Sequence, residues 1–224
     1  HHTGTFPGVA PLAQYGAEPT SMGRLGWSDA GVIVPWVVWK QFGDNEIVAE
    51  NWEAMEKMMD YVDAIKYDHA AMAGENGNFQ WADWLSYEPL ESCSGTIRMV
   101  DEKGNHVNRP ETYVYWNYLC ASYWAIDAGM MRDMAAATGR DAARYQAMVD
   151  NAKAYIRERF FNANGVFKSA ILNTMQTPAL FALKNNIFEG EAKEAMIARL
   201  RENFAQHGNC LQTGFLGTSI LMGT

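Results

Sequence analysis

Charges are unevenly spread along this chain, and the gaps between them mark the elements. The stretch Ala30–Phe42 (AGVIVPWVVWKQF) holds no charge until Lys40. Its spacing predicts a helix with Ser28 as N-cap and Gly43 ending it. Pro35 either kinks this helix or marks its true first turn. Residues 45–66 have the opposite character. Ile47, Trp52, Met55, Met59 and Val62 share one face, and Glu50, Glu53, Glu56 and Lys57 the other, which is the pattern of an amphipathic helix. The alternation then repeats. Thr112–Ala137 carries a single charge, Asp127, across its first twenty residues. Residues 141–161 are amphipathic, with Arg144, Lys153, Arg157 and Glu158 as exposed positions. After the turn "NANGVF" come a short apolar helix, Gln176–Lys184, and a charged amphipathic one, Gly190–Gln206; "TGFLGTSILM" opens another apolar helix.

A helix apolar all round must be buried, whereas a striped one faces water. Pairs that alternate in this way fit two concentric rings of helices, with long loops feeding the inner ring. No run of strands stands out, so the expected class is all-α. Residues 68–109, rich in Gly, Asn, Ser and aromatics, read as one long irregular loop, and loops of that length in compact domains are usually functional. Residues 1–22 read as a loop lead-in and 23–224 as part of the helical domain.

Composition narrows the partners. With 224 residues, 48% hydrophobic and 20% charged, the chain is that of a folded protein with a sizeable core. A net charge of -8 and a pI near 5.1 argue against nucleic acid or an anionic membrane surface as partner. No apolar run approaches the roughly 18 residues that span a bilayer. Cys93, Cys120 and Cys210 are odd in number and widely spaced, which suggests core thiols rather than a disulfide framework. His69, His106 and His207 sit in polar stretches without metal-ligand spacing, so no metal or cofactor is expected. No basic-then-apolar leader opens the sequence.

Three clusters can carry chemistry. The first is Arg24, Trp27, Asp29 and Trp36, at the start of the first helix. The second lies in "ENGNFQWADWLSYEPLE" and gathers Glu75, Trp81, Asp83, Trp84, Tyr87, Glu88 and Glu91. The third is "NTMQT" with "LQTGFLGT". Flat aromatics beside carboxylates suit a sugar: the ring face stacks on the C–H face of a pyranose, and the carboxylate takes hydrogen bonds from vicinal hydroxyls. A suitably spaced carboxyl pair supplies the acid and base of glycoside hydrolysis. Each residue also has a plainer reading. Trp36 and Trp39 suit a core, Asp29 a helix cap or dipole partner, and Glu88 and Glu91 a solvated loop around Pro89. Trp81 and Trp84, with Asp83 between them in a Gly/Asn-rich loop, are the least ordinary and favour a ligand role.

"GWSDAGVIVPW", "WADWLS", "NTMQTPALFAL" and "LQTGFLGTSIL", in this order, resemble the catalytic domain of bacterial α-L-rhamnosidases, glycoside hydrolase family 78. The likeness starts near residue 23 and includes "MAAATGRDAARYQAMVDNAKAYIRERFF" as an outer-helix segment. It implies an (α/α)6 barrel, a six-hairpin glycosidase-like fold that is incomplete in this chain, and inverting hydrolysis of terminal α-L-rhamnose. It also implies sugar-binding roles for Asp29, Trp27, Trp36, Asp83, Trp84 and Trp81. Asp83 occupies the Asp of a Gly-Asp-Trp motif in which Ala82 replaces the Gly. The general acid and base expected from the resemblance are Glu residues of an Asp-Cys-Pro-x-Arg-Asp-Glu type and a Trp-Glu-Arg-Trp type motif, and neither motif occurs here. The chain therefore reads as a middle section whose catalytic pair is supplied elsewhere, with a rhamnose-containing glycoside as partner in a bacterial cytoplasm or periplasm. Apolar inner helices without neighbours would leave patches through which such a section could associate. Two further readings stay open: a non-catalytic carbohydrate-binding fragment, and another exo-glycosidase on the same barrel. A uronate-specific enzyme would need basic residues near the clusters, where Arg24 and Arg98 are the candidates.

Overall fold

The computed structural model describes residues 4–7, 26–67, 82–87, 98–100, 106–108 and 110–221. The described residues are predominantly helical: α1 (Ala30–Phe42), α2 (Asn45–Ala64), α3 (Pro110–Ala137), α4 (Ala142–Phe160), α5 (Gln176–Lys184), α6 (Gly190–Gln206) and α7 (Phe215–Leu221), with a 3-10 turn at Ile171–Thr174. One departure from the all-helical expectation is a small antiparallel hairpin inside the predicted loop. Its strands β1 (Arg98–Val100) and β2 (His106–Asn108) pair Met99 with Val107. Strands of three residues are too short for alternation to reveal them.

The chain forms two compact units. One comprises residues 1–78 and 123–152, the other 79–122 and 153–224, so α3 and α4 each contribute to both. In the first unit α1 packs on α2. The buried side of α2 is Val48, Met55, Met58, Met59 and Val62, at the three-, four- and seven-residue spacings of an amphipathic face. Its rim reaches α4. Trp52 meets Tyr145 edge-on at 5.8 Å, the Arg140 guanidinium lies 4.6 Å from the Trp52 ring centroid, and Arg144 bridges to Glu56 (2.9 Å) and Asp60. Two aspartates fix helix starts. Asp44 accepts from the N–H groups of Glu46 (2.9 Å) and Ile47 (3.3 Å), and Asp141 from those of Ala143 (3.0 Å) and Arg144 (3.3 Å).

Burial separates the apolar helices. Residues 176–182 of α5 are buried throughout, and α3 buries Leu119, Cys120, Ala121, Ala128, Met131 and Met134 completely. By contrast, α1 buries only Val32 and Pro35 and leaves Val34, Val37 and Phe42 exposed. Pro35 sits inside α1 without breaking it. Cys210 is exposed, which corrects its reading as a core thiol, whereas Cys120 is buried.

In the second unit α5 packs against α6 and α7. Tyr118 of α3 anchors this packing: its hydroxyl donates to the Pro178 carbonyl at 2.8 Å, and its ring meets Phe160 and Phe167 edge-on at 5.3 and 5.2 Å. Removing that hydroxyl leaves a buried carbonyl without its donor. Tyr118→Phe should cost about 1 kcal/mol, and Asp141→Ala, which removes a cap, a similar amount. Either change should lower the thermal midpoint by roughly 2–4 °C in a chain of this size.

Candidate functional site

The first cluster forms within the first unit. Residues 26–29 make a turn that runs straight into α1. The N–H groups of Ala30 and Gly31 donate to the carbonyls of Trp27 (3.2 Å) and Ser28 (3.1 Å). These backbone acceptors leave no cap role for a side chain, so Ser28 is not the N-cap. That position falls to Asp29, whose carboxylate makes no cap hydrogen bond either. Instead it turns away from the helix. The Gly26 N–H donates to Oδ2, and the Tyr67 hydroxyl reaches both oxygens at 2.9 and 3.0 Å. Asp127 of α3 faces the same carboxylate. Asp29, Tyr67 and Asp127 have no exposed surface.

Burial sets the electrostatics here. Desolvation raises the Asp29 carboxyl above its ordinary value, against the pull of its hydrogen bonds to Asp127, Tyr67 and Gly26. Asp127 is pushed well above, first by burial and then by the negative charge of Asp29. The flanking aromatics are half-buried. Trp36 keeps its indole N–H without a hydrogen-bond partner among the described residues, and the Lys40 ammonium lies 5.9 Å from its ring centroid.

The second and third clusters meet in the second unit, around Asp83. Its Oδ2 accepts from the Thr177 hydroxyl (2.5 Å) and the Gly214 N–H (2.8 Å), and its Oδ1 from the Gly217 N–H (2.8 Å). The surrounding backbone is tied in the same direction. Phe215 N–H donates to the Trp84 carbonyl (2.9 Å), Tyr87 N–H to that of Gln212 (2.8 Å), and Gln212 N–H to the Gln176 side chain (2.9 Å). The glycines of "TGFLGT" follow from this closeness: a Cβ at Gly214 would strike the Asp83 and Trp84 carbonyls, and one at Gly217 the Thr177 hydroxyl. Burial raises the Asp83 carboxyl, opposed by these donors.

Beside Asp83, Trp84 stacks on Phe215 (5.4 Å between centroids, 20° between planes), and both remain partly exposed. Ala82 has φ +44° and Leu85 φ +64°, in the left-handed region. Ala82 stands where the motif resembled has Gly, and its φ supplies the reason for Gly there. Trp81, Arg24, Glu75, Glu88, Glu91, His69 and Cys93 lie outside the described residues. His207 is exposed at the end of α6, with Nδ1 2.8 Å from the Asn203 carbonyl. Among the described residues no group of three potential metal ligands occurs, and no helix is long and apolar enough to cross a membrane.

Sequence reasoning proposed neither Tyr67 nor Asp127 as a site residue. A signal for Asp127 existed, since a lone charge in an apolar helix has to find a buried partner. Tyr67, just past α2, offered none.

All 224 residues match the family model of the bacterial alpha-L-rhamnosidase 6 hairpin glycosidase domain. The chain belongs to this family. An alpha-L-rhamnosidase of Formosa agariphila is 29% identical over 99% of the chain, which covers 21% of that protein. The chain spans about a fifth of the length of such relatives. The crystal structure of Streptomyces avermitilis alpha-L-rhamnosidase complexed with L-rhamnose shares the fold with a TM-score of 0.72 at 22% identity, covering all of this chain and 18% of that one. The Aspergillus terreus enzyme gives 0.69 at 21% identity, covering 98% of this chain and 23% of that one. The all-α six-hairpin class expected from the sequence is therefore the class of this rhamnosidase-family domain.

Asp83→Asn should be severe, because its amide would set an N–H₂ against donors that now share a carboxylate. We expect a loss of roughly 2–4 kcal/mol in urea denaturation. At Ala82, Gly relieves a left-handed strain of about 1 kcal/mol and gives up a buried methyl worth about 0.8, so stability should hardly move. Ala82→Val should cost about 2 kcal/mol. For Asp29, Asp83 and Asp127 the folded pKa lies above the ordinary 3.8, so the folded state holds the protons longer than the unfolded one. Their contribution is full below about pH 4 and declines as pH rises through the raised values. Asp127→Asn removes one of these groups, so its stability relative to the unaltered protein should increase as pH rises above about 4. A flat difference would contradict this.

Proposed function

We propose that the chain supplies sugar contacts to a glycoside hydrolase that releases terminal α-L-rhamnose. Membership of the family over the whole chain carries this reading. The local chemistry agrees with it. Asp29 is a carboxylate withheld from capping its own helix, and in the sequence it is flanked by two half-buried tryptophans, Trp27 and Trp36. Asp29 has no exposed surface, so a sugar hydroxyl reaches it by taking the place of the Tyr67 hydroxyl. In the other unit, Trp84 and Phe215 present flat apolar surface suited to the C–H face of a sugar or to its aglycone. We assign Asp83 to holding the 82–87 loop that carries Trp84, because both its oxygens are engaged by protein donors. Trp81 belongs to the same segment as a further aromatic contact. The expected chemistry is inverting hydrolysis, in which one Glu protonates the glycosidic oxygen while another activates water.

Hydrolysis of an aryl α-L-rhamnoside by the full-length protein tests this reading. Asp29→Asn should lower kcat/KM about 100-fold, or roughly 3 kcal/mol of transition-state binding, well beyond the loss of stability caused by setting its amide against the Gly26 and Tyr67 donors. Trp84→Ala should raise KM about 10-fold with a smaller change in kcat. Rhamnose binding without hydrolysis would favour a carbohydrate-binding module. Equal loss of activity and fold in Asp29→Asn would make that residue structural.

A further inference from the structure

Asp127 is buried completely in α3, and as a carboxylate neither of its oxygens has a hydrogen-bond donor among the described residues. Burying such a group unmet costs several kcal/mol. What it faces is the Asp29 carboxyl, whose negative charge acts on it. Two ionised carboxylates offer only acceptors to each other, so the contact becomes a hydrogen bond only when a proton lies between them.

The surroundings say which residue keeps that proton. Asp29 already accepts from the Gly26 N–H and the Tyr67 hydroxyl, and both favour its ionised form. Asp127 has no such donor. Among the described residues, the pair is faced by Tyr67 from beyond α2, and Asp63 of α2 lies against Trp124, one turn before Asp127 on α3. None of these is a cation that would stabilise a second negative charge.

We propose that Asp127 is a positioning residue for Asp29: it keeps its carboxyl proton and donates it to the Asp29 carboxylate. Asp29 then remains ionised in one orientation. A carboxylate has about four acceptor sites; with Gly26 and Asp127 fixed on it, the directed site that the Tyr67 hydroxyl fills is the one a sugar hydroxyl takes over. The proton pair stands on the burial of both carboxyls and the missing donor at Asp127, whereas its consequence for the sugar rests on the rhamnose reading of Asp29.

Infrared spectra of the full-length protein test the first part. At neutral pH the difference between the unaltered protein and Asp127→Asn should show the carbonyl stretch of one protonated carboxylic acid. Binding of L-rhamnose, followed by titration calorimetry, tests the second. Asp127→Asn retains an N–H donor towards Asp29 and should hold Kd within about 3-fold, whereas Asp127→Ala should weaken it about 10- to 30-fold. Should the Ala variant fail to fold, Asp127→Leu, which fills the volume without a donor, replaces it in the comparison. Rhamnose binding without the infrared band overturns the proton pair. The band without rhamnose binding overturns the rhamnose reading, and the positioning role with it. An Asn variant no better than the apolar one also overturns the positioning role.

Discussion

A carboxylate taken out of water must be met by hydrogen-bond donors, and this requirement organises both candidate clusters. Asp83 is met by one hydroxyl, from Thr177, and two backbone N–H groups, from the 214–217 turn. For those N–H groups to arrive, the backbone at 214 and 217 must come closer than any side chain permits, so glycine occupies both positions. The left-handed residues Ala82 and Leu85 bend the other strand of the contact into reach. The exposed face of Trp84 is one outcome of this arrangement.

Asp29 and Asp127 meet the same requirement by different means. Asp29 recruits an N–H and a phenol, while among the described residues Asp127 meets another acid and no donor. A neutral acid is an ordinary hydrogen-bond donor and can be buried at far lower cost than its anion. The apolar surroundings of α3 therefore decide the chemical form of the group they enclose.

Much of the helical scaffold was legible because its signals are local. Ala30–Phe42, Gln176–Lys184 and Gly190–Gln206 have the bounds that apolar spacing and flanking residues indicate. Errors arose where a tertiary partner overrode a local rule. Ser28 has the chemistry of a cap, but the turn before α1 satisfies the helix with its own carbonyls. Asp29 has the position of a cap but is claimed by Tyr67, 38 residues away. Motif order also singled out Asp83, Trp84 and the "TGFLGT" segment, which the fold brings together around the Asp83 carboxylate. The division of labour between them, with the carboxylate as anchor and the ring exposed, needed the fold.

The bonds from Asp83 to Gly214 and Gly217 close separations of 131 and 134 residues. Contacts so distant along the chain are late ones in folding, since the entropy of closing the intervening loop is lost before they form. Local helices such as α2 and α4 need no such wait. The 82–87 segment emerges from the ribosome long before its partners do, and its strained residues hold their conformations only once α7 has arrived. Assembly order is thus written into the position of one aspartate: the scaffold folds first, and the aromatic face of Trp84 is finished last.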